Sequence, residues 1–200
     1  MTEEEKKLVE LLKKRDEQAF DRFFRQHQHK IFRLALRFLG NLEEAEDVTQ
    51  DIFITVFKQI DTFHGESSIS TWLYRIAVNH CKNRIKYLSR RPALHIEGKA
   101  TEFEGEMSGA GNENGYAHRL PGPDEVLEFK ETEKLVMNVI SGLDEDLRTI
   151  LILREMESLS YEEIAEVLNI EMGTVKSRLS RARSIFYDRF KNFVSQKGRR

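Results

Sequence analysis

The sequence predicts an all-α protein built from two small helical domains joined by a flexible linker. Three observations carry that reading. Apolar residues recur at three- and four-residue steps in both the first and the last hundred residues, the spacing of one helix face. The prolines are confined to Arg91-Pro92 and Pro121-Gly122-Pro123, so nothing elsewhere forbids helix. Between residues 95 and 123 the chain turns rich in glycine (98, 105, 109, 111, 115 and 122) and acid, and poor in aliphatics. Such a stretch buries too little surface to offset the entropy of ordering it. The expected division is therefore a first domain over 1–94, a linker over 95–123 and a second domain over 124–200.

The elements follow in order. In the first domain Ala19, Phe20, Phe23 and Phe24, then Ile31, Phe32, Leu34, Ala35, Phe38 and Leu39, keep helical spacing until Gly40-Asn41 interrupts it. Asn41 suits an N-cap, with Glu43, Glu44 and Glu46 at the positive end of the helix that follows. That helix carries Val48, Ile52, Phe53, Val56, Phe57 and Ile60 and ends near Asp61. A loop from Phe63 to Ser68 precedes a helix starting around Ser70 and running through Trp72, Leu73, Ile76, Ala77 and Ile85. In the second domain Val126, Leu127, Phe129, Leu135, Val136, Val139 and Ile140 mark one helix, and Leu147, Ile150, Leu151 and Leu153 another.

Two further helices carry the sharpest local pattern. Ser160-Tyr161-Glu162-Glu163 fits a capping box, opening a helix from Tyr161 to Leu168 with Ile164, Ala165 and Leu168 on one face. Asn169 tolerates the left-handed conformation that ends a helix sharply, and Ile170 plugs the turn. The next helix starts near Glu171-Met172-Gly173-Thr174 and turns Val175, Leu179 and Ala182 inward. The spacing is that of a helix-turn-helix. Lys176, Ser177, Ser180 and Arg181 then form an outward stripe flanked by Arg178 and Arg183, able to meet base edges and phosphates. An ordinary helical hairpin with a cationic face has the same composition, but not the cap, turn and buried spacing in register.

Charge is partitioned in the same way. The net charge is −2. Yet Trp72–Leu94 holds Arg75, Lys82, Arg84, Lys86, Arg90 and Arg91 with no acid, and Met172–Arg200 holds nine bases against Asp188. His95–Leu127 holds seven acids and two bases. Two positive segments around a negative one suit two surfaces for a polyanion. In the first domain Asp47-Val48-Thr49-Gln50-Asp51 leads into an apolar run to Phe57, a suitable dock for a basic helical partner; a core helix with a solvated acidic first turn fits equally. Phe63, Ser67, Ser68, Trp72 and Asn79 beside Lys82, Arg84 and Lys86 suit single-stranded DNA, where bases stack on aromatics and cations follow the backbone. Phe63 and Trp72 fit a core as well, and for Trp72 core is the favoured reading.

Other classes find little support. The histidines are scattered, and His27-Gln28-His29 and His80-Cys81 lack zinc-site spacing. There is no phosphate loop and no nucleophile elbow, so neither an enzyme nor a cofactor is expected. One cysteine, Cys81, leaves no internal disulfide. No run of eighteen apolar residues occurs and Met1–Glu5 is acidic where a signal peptide needs positive charge, so the cytosol is the expected compartment, with no membrane insertion.

Asp47-Val48-Thr49-Gln50-Asp51, Ser70-Thr71-Trp72-Leu73-Tyr74-Arg75-Ile76-Ala77-Val78-Asn79, Leu159-Ser160-Tyr161-Glu162-Glu163-Ile164-Ala165 and Gly173-Thr174-Val175-Lys176-Ser177-Arg178 occur in this order. Together they resemble the signature segments of extracytoplasmic-function RNA polymerase sigma factors, closest to sigma-E types. The resemblance covers everything but residues 1 to about 15, the linker and the last few residues; its Trp-Leu-Tyr-Arg-Ile-Ala stretch is the most specific part. It implies a sigma-2 domain over 1–94, a sigma-4 domain over 124–200, and an alternative sigma factor that directs core RNA polymerase to −10 and −35 promoter elements. Asp47, Val48, Gln50, Asp51, Phe53, Ile54 and Phe57 would dock on polymerase. Phe63, Ser67, Ser68, Trp72, Asn79, Lys82, Asn83 and Lys86 would recognise and open the −10 element. Thr174, Lys176, Ser177, Arg178, Ser180, Arg181 and Arg183 would read the −35 element. The partners implied are core polymerase, promoter DNA and an anti-sigma factor, with no small-molecule substrate; the linker would thread toward the polymerase active-site channel. Glu171 and Ser180 depart from the family pattern, which commonly has a small hydroxyl or proline at the first and a larger residue at the second. A stand-alone DNA-binding regulator, with 1–94 as a sensor or dimerisation domain, is the alternative from the residues alone.

Overall fold

The computed structural model describes residues 2–90 and 135–197, and among these every regular element is helical. The linker expected at 95–123 and the start of the second domain at 124–134 lie outside the described residues.

In the first unit each α-helix begins where a side chain satisfies one of its free amides. Helix α1 (Glu3–Lys13) opens on a Thr2/Glu5 capping box. Helix α2 (Glu17–Leu39) opens on Asp16, whose carboxylate accepts from the Ala19 amide, and ends on Gly40 at φ +67. A left-handed residue there turns the chain at once into Asn41, which caps α3 (Leu42–Gln59) as expected. After a short 3-10 turn (Ile60–Thr62), Ser68 caps α4 (Ile69–Ser89), one residue earlier than the sequence suggested. Helices α2, α3 and α4 pack against one another around Phe23, Ile31, Leu34, Ile52, Val56, Leu73 and Ala77, all nearly sealed from solvent.

The second unit starts with α5 (residues 135–141) and α6 (Glu145–Leu151), which continues as a π-helical turn over Ile152–Met156. Helices α7 (Tyr161–Leu168) and α8 (Met172–Lys197) follow. Ile150, Ile152, Leu153, Ile164, Val175, Leu179 and Ala182 fill its core. The two units lie against each other, α4 packing on α7, a placement no local pattern in the sequence announces.

Candidate nucleic-acid interface

The α7–α8 pair is a helix-turn-helix in detail. Ser160 accepts from the Glu163 amide at 3.1 Å while the Glu163 carboxylate accepts from the Ser160 amide at 2.7 Å, so two otherwise free donors are satisfied. Asn169 ends α7 at φ 51, and the Ile170 amide donates back to Ala165. Ile164 is buried as expected; Ala165 and Leu168 are half-buried, and Val167 joins the core beside them. In α8 Val175, Leu179 and Ala182 are buried, which leaves Lys176, Ser177, Ser180 and Arg181 exposed on the far side. The flanking cations are held. Arg178 reaches Asp146 at 3.0 Å, and Arg183 reaches Glu155 at 2.6 Å, a hydrogen bond that raises its pKa. Thr174 is half-buried, its carbonyl accepting from the Ser177 hydroxyl. Glu171 is exposed and takes part in the first turn of α8 through its carbonyl, which accepts from Thr174 and Val175.

On α4, Asn79, Asn83 and Lys86 are exposed along one side. Lys82 lies beside them and is turned to Asp146 at 3.2 Å and Glu145 at 3.5 Å. Ser67 is half-buried, and the Ser68 hydroxyl is committed to the Thr71 amide as the α4 cap. Phe63 is 3% exposed and packs against half-buried Trp72, ring centroids 5.4 Å apart. The core reading holds for Phe63: in this structure its ring is not available to stack a base, and it shapes the loop from beneath.

The α3 face divides by helical period. Asp47, Gln50, Asp51, Ile54 and Phe57 are exposed, Phe53 is half-buried and Val48 is 3% exposed. Val48 therefore belongs to the core, on the same side as Ile52 and Val56, and is not a docking residue in itself. Exposed Phe24 of α2 meets Phe53 edge-on at 4.8 Å, and Phe20 meets Phe57 at 4.8 Å, so aromatic rings from two helices form one rim. A groove of about 270 Å³ runs beside it, lined by Phe24, Gln28, His29, Phe32, Glu46, Thr49 and Gln50. Arg84 of α4 crosses to Glu44 and Asp47, and the Glu44 hydrogen bond raises its pKa. Nearby His80 pairs with Thr55 at 3.0 Å; burial holds its pKa down, against the pull of Asp51.

Comparison with known proteins matches the model of Sigma-70 region 2 to residues 23–91 and that of Sigma-70 region 4 to residues 133–185. The chain is 40% identical over 183 residues to the RNA polymerase sigma-H factor of Pseudomonas aeruginosa, covering 90% of this chain and 91% of that protein. It is 39% identical over 176 residues to the ECF RNA polymerase sigma-E factor of Escherichia coli, covering 88% of each. The chain belongs to the extracytoplasmic-function sigma factors. Two solved structures share its fold: CnrH in complex with the cytosolic domain of CnrY, and the sigma factor RpoE in complex with the anti-sigma factor NepR from Bartonella quintana. The first has a TM-score of 0.63 at 20% identity and covers 92% of this chain and 95% of that one. The second has a TM-score of 0.55 at 23% identity and covers 86% and 96%.

Sequence reasoning missed one group in this sigma factor. Glu157 sits almost fully buried between the units, paired with Arg37 of α2 and accepting from the Tyr74 hydroxyl of α4 at 2.8 Å. Burial and the Glu157 carboxylate push the Tyr74 phenol well above its ordinary range, so it stays a donor. Removing one partner of such a buried pair costs on the order of 3–5 kcal/mol. The three residues are distant in sequence, and only the packing of α4 on the second unit joins them. Phe24 was missed as a surface residue for a simpler reason: it stands in an apolar pair with Phe23, and only the packing shows that Phe23 takes the core side and leaves Phe24 exposed.

Proposed function

We propose that this chain is an alternative sigma factor without catalytic activity of its own, working in the cytoplasm by directing core RNA polymerase to −10/−35 promoters and promoting their opening. The assignment of residues 1–94 to polymerase docking and the −10 element, 95–123 to a linker and 124–200 to the −35 element is part of the same reading. The observation that carries it is the outward row of Lys176, Ser177, Ser180 and Arg181, on a helix whose other side is fixed by the buried Val175, Leu179 and Ala182. A helix held in this way presents its N-terminal turns to the major groove, with hydroxyls and cations toward bases and phosphates.

Asp47, Gln50, Asp51, Ile54 and Phe57 combine carboxylates with exposed apolar surface on one side of α3, which favours a helical partner of opposite charge on polymerase. Asn79, Asn83, Lys82 and Lys86 line α4 within reach of a single strand: amides meet unstacked bases and ammonium groups follow the backbone. Opening a base pair costs on the order of a few kcal/mol, and capture of the flipped bases offsets it without a fuel. The same exposed surfaces fit an anti-sigma partner, and the RpoE neighbour is described in complex with an anti-sigma factor.

Run-off transcription with core polymerase over a promoter library tests the proposal. The expected result is promoter-specific initiation that Arg181→Ala weakens through the −35 element and Asn79→Ala weakens at open-complex formation. Failure to bind sigma-free core polymerase at low salt would overturn it and leave a stand-alone DNA-binding regulator.

A further inference from the structure

The cations assigned above to DNA are not all turned to solvent. The Lys82 Nζ of α4 lies 3.2 Å from Asp146 Oδ1 and 3.5 Å from Glu145 Oε1, while Lys86 Nζ lies 3.8 Å from Glu145. From the other unit, Arg178 of α8 lies 3.0 Å from Asp146 Oδ2. Two adjacent carboxylates at the start of α6 thus gather two cations from the candidate −10 face and one from the recognition helix. Asp146 joins the two sets, one oxygen toward each. This is the way a bridging phosphate takes up ammonium and guanidinium groups, with a carboxylate in its place.

The rest of the joint holds the pose. Arg37 and Tyr74 close on buried Glu157, and Arg75 donates to the Glu166 carbonyl at 2.8 Å. Helix α4, which carries the candidate −10 residues, is packed on α7 of the helix-turn-helix. DNA that draws on Lys82, Lys86 or Arg178 has to displace Glu145 and Asp146, so binding and packing compete for the same charges.

We propose that Glu145 and Asp146 act as an internal stand-in for DNA phosphate, latching the two units together and holding the free sigma factor in a self-inhibited state that opens when promoter DNA takes the cations. The proposal rests on the residue roles given under the proposed function. Exposed or half-exposed ion pairs are individually weak. The three cations held together amount to a gate of about tenfold, enough to suppress stray binding and still yield to a cognate site.

The test uses the full chain with a donor and acceptor dye on Lys58→Cys and Lys191→Cys, read first without DNA. Removing the latch with E145Q/D146N is expected to lower energy transfer and to tighten binding to a mixed-sequence duplex and to an oligo-dT strand about tenfold. A control with the same charge change away from the joint, E162Q/D188N, is expected to leave energy transfer unchanged and to alter affinity less than twofold. Arg37→Ala attacks the joint from the other unit by stripping Glu157 of its cation, and is expected to lower energy transfer as well. The latch is overturned if E145Q/D146N keeps the wild-type energy transfer, whether or not Arg37→Ala lowers it, or if E145Q/D146N tightens DNA binding no more than the control does. K176A/R181A run beside them separates the two levels of argument. If that variant binds duplex like wild type, the residue roles fail, while energy transfer without DNA still decides the latch.

Discussion

Leu179 and Arg181 stand two positions apart on α8 and face opposite ways, so truncating each to alanine should damage different properties. Leu179 is 1% exposed in a core with Ile164, Val175 and Ala182. Leu179→Ala loses the transfer energy of the side chain and leaves a cavity that close packing cannot fully collapse, about 3–4 kcal/mol together. For a chain of this size each kcal/mol moves the midpoint by about 2–4 °C, so a fall of roughly 10 °C is expected. Arg181 is exposed, and surface substitutions are worth at most about 0.5 kcal/mol, so its midpoint should move by no more than about 2 °C. Its loss should appear instead in binding, where one base or phosphate contact contributes about 1–3 kcal/mol, a loss of roughly 5- to 150-fold. Thermal melts followed by circular dichroism, and fluorescence anisotropy on a duplex carrying the −35 element, separate the two. The reasoning is refuted if Leu179→Ala melts within about 2 °C of wild type, or if Arg181→Ala melts early and binds duplex normally.

Four other outcomes follow from the same geometry. Gly40 has φ +67 with nothing within 4 Å of a built Cβ, so Gly40→Ala should cost about 1 kcal/mol by backbone strain alone, visible as a small drop in melting temperature. Replacing Ile54 and Phe57 with serine should cut core-polymerase binding at least about tenfold in a pull-down titration while lowering the melting temperature less than Leu179→Ala does, since both side chains are about half exposed and the aromatic contact Phe57 gives up is that with Phe20. His27 and His80 are both held below their ordinary pKa chiefly by burial, so the unfolded chain binds more protons near pH 6 and stability should fall as pH drops from 7.5 to 5.5. Denaturant titrations of H27Q/H80Q should show a shallower pH dependence than wild type. Burial pushes the Cys81 thiol up to about 12, so it should resist thiol reagents in the native protein and react on unfolding, as a time course in increasing urea would record.

The helix boundaries were legible because the forces that set them are local. A serine or asparagine cap acts over three residues, and a left-handed Gly40 or Asn169 acts over one or two. The inward faces were legible from the helical period: Val175, Leu179 and Ala182 were read as buried and are. The same period would have placed Val48 inside with Ile52 and Val56, had it been applied to the acidic segment residue by residue. Motif resemblance names a segment, and only its period tells which members of the segment reach the surface.

What tertiary structure alone decided is which polar side chains are already engaged. Lys82 and Asp146 are 64 positions apart, Arg84 and Glu44 are 40 apart, and Arg37 and Glu157 are 120 apart. An ion pair leaves no periodic trace in the sequence, because Coulomb attraction depends on where folding brings two charges and not on the residues between them. By itself the sequence determined the helices, their buried stripes and the cationic row of α8, all products of interactions within a turn or two. The docking of α4 on α7, the burial of Phe63 and the capture of the candidate DNA cations by Glu145 and Asp146 exist only once distant helices pack, since they arise from the packing itself.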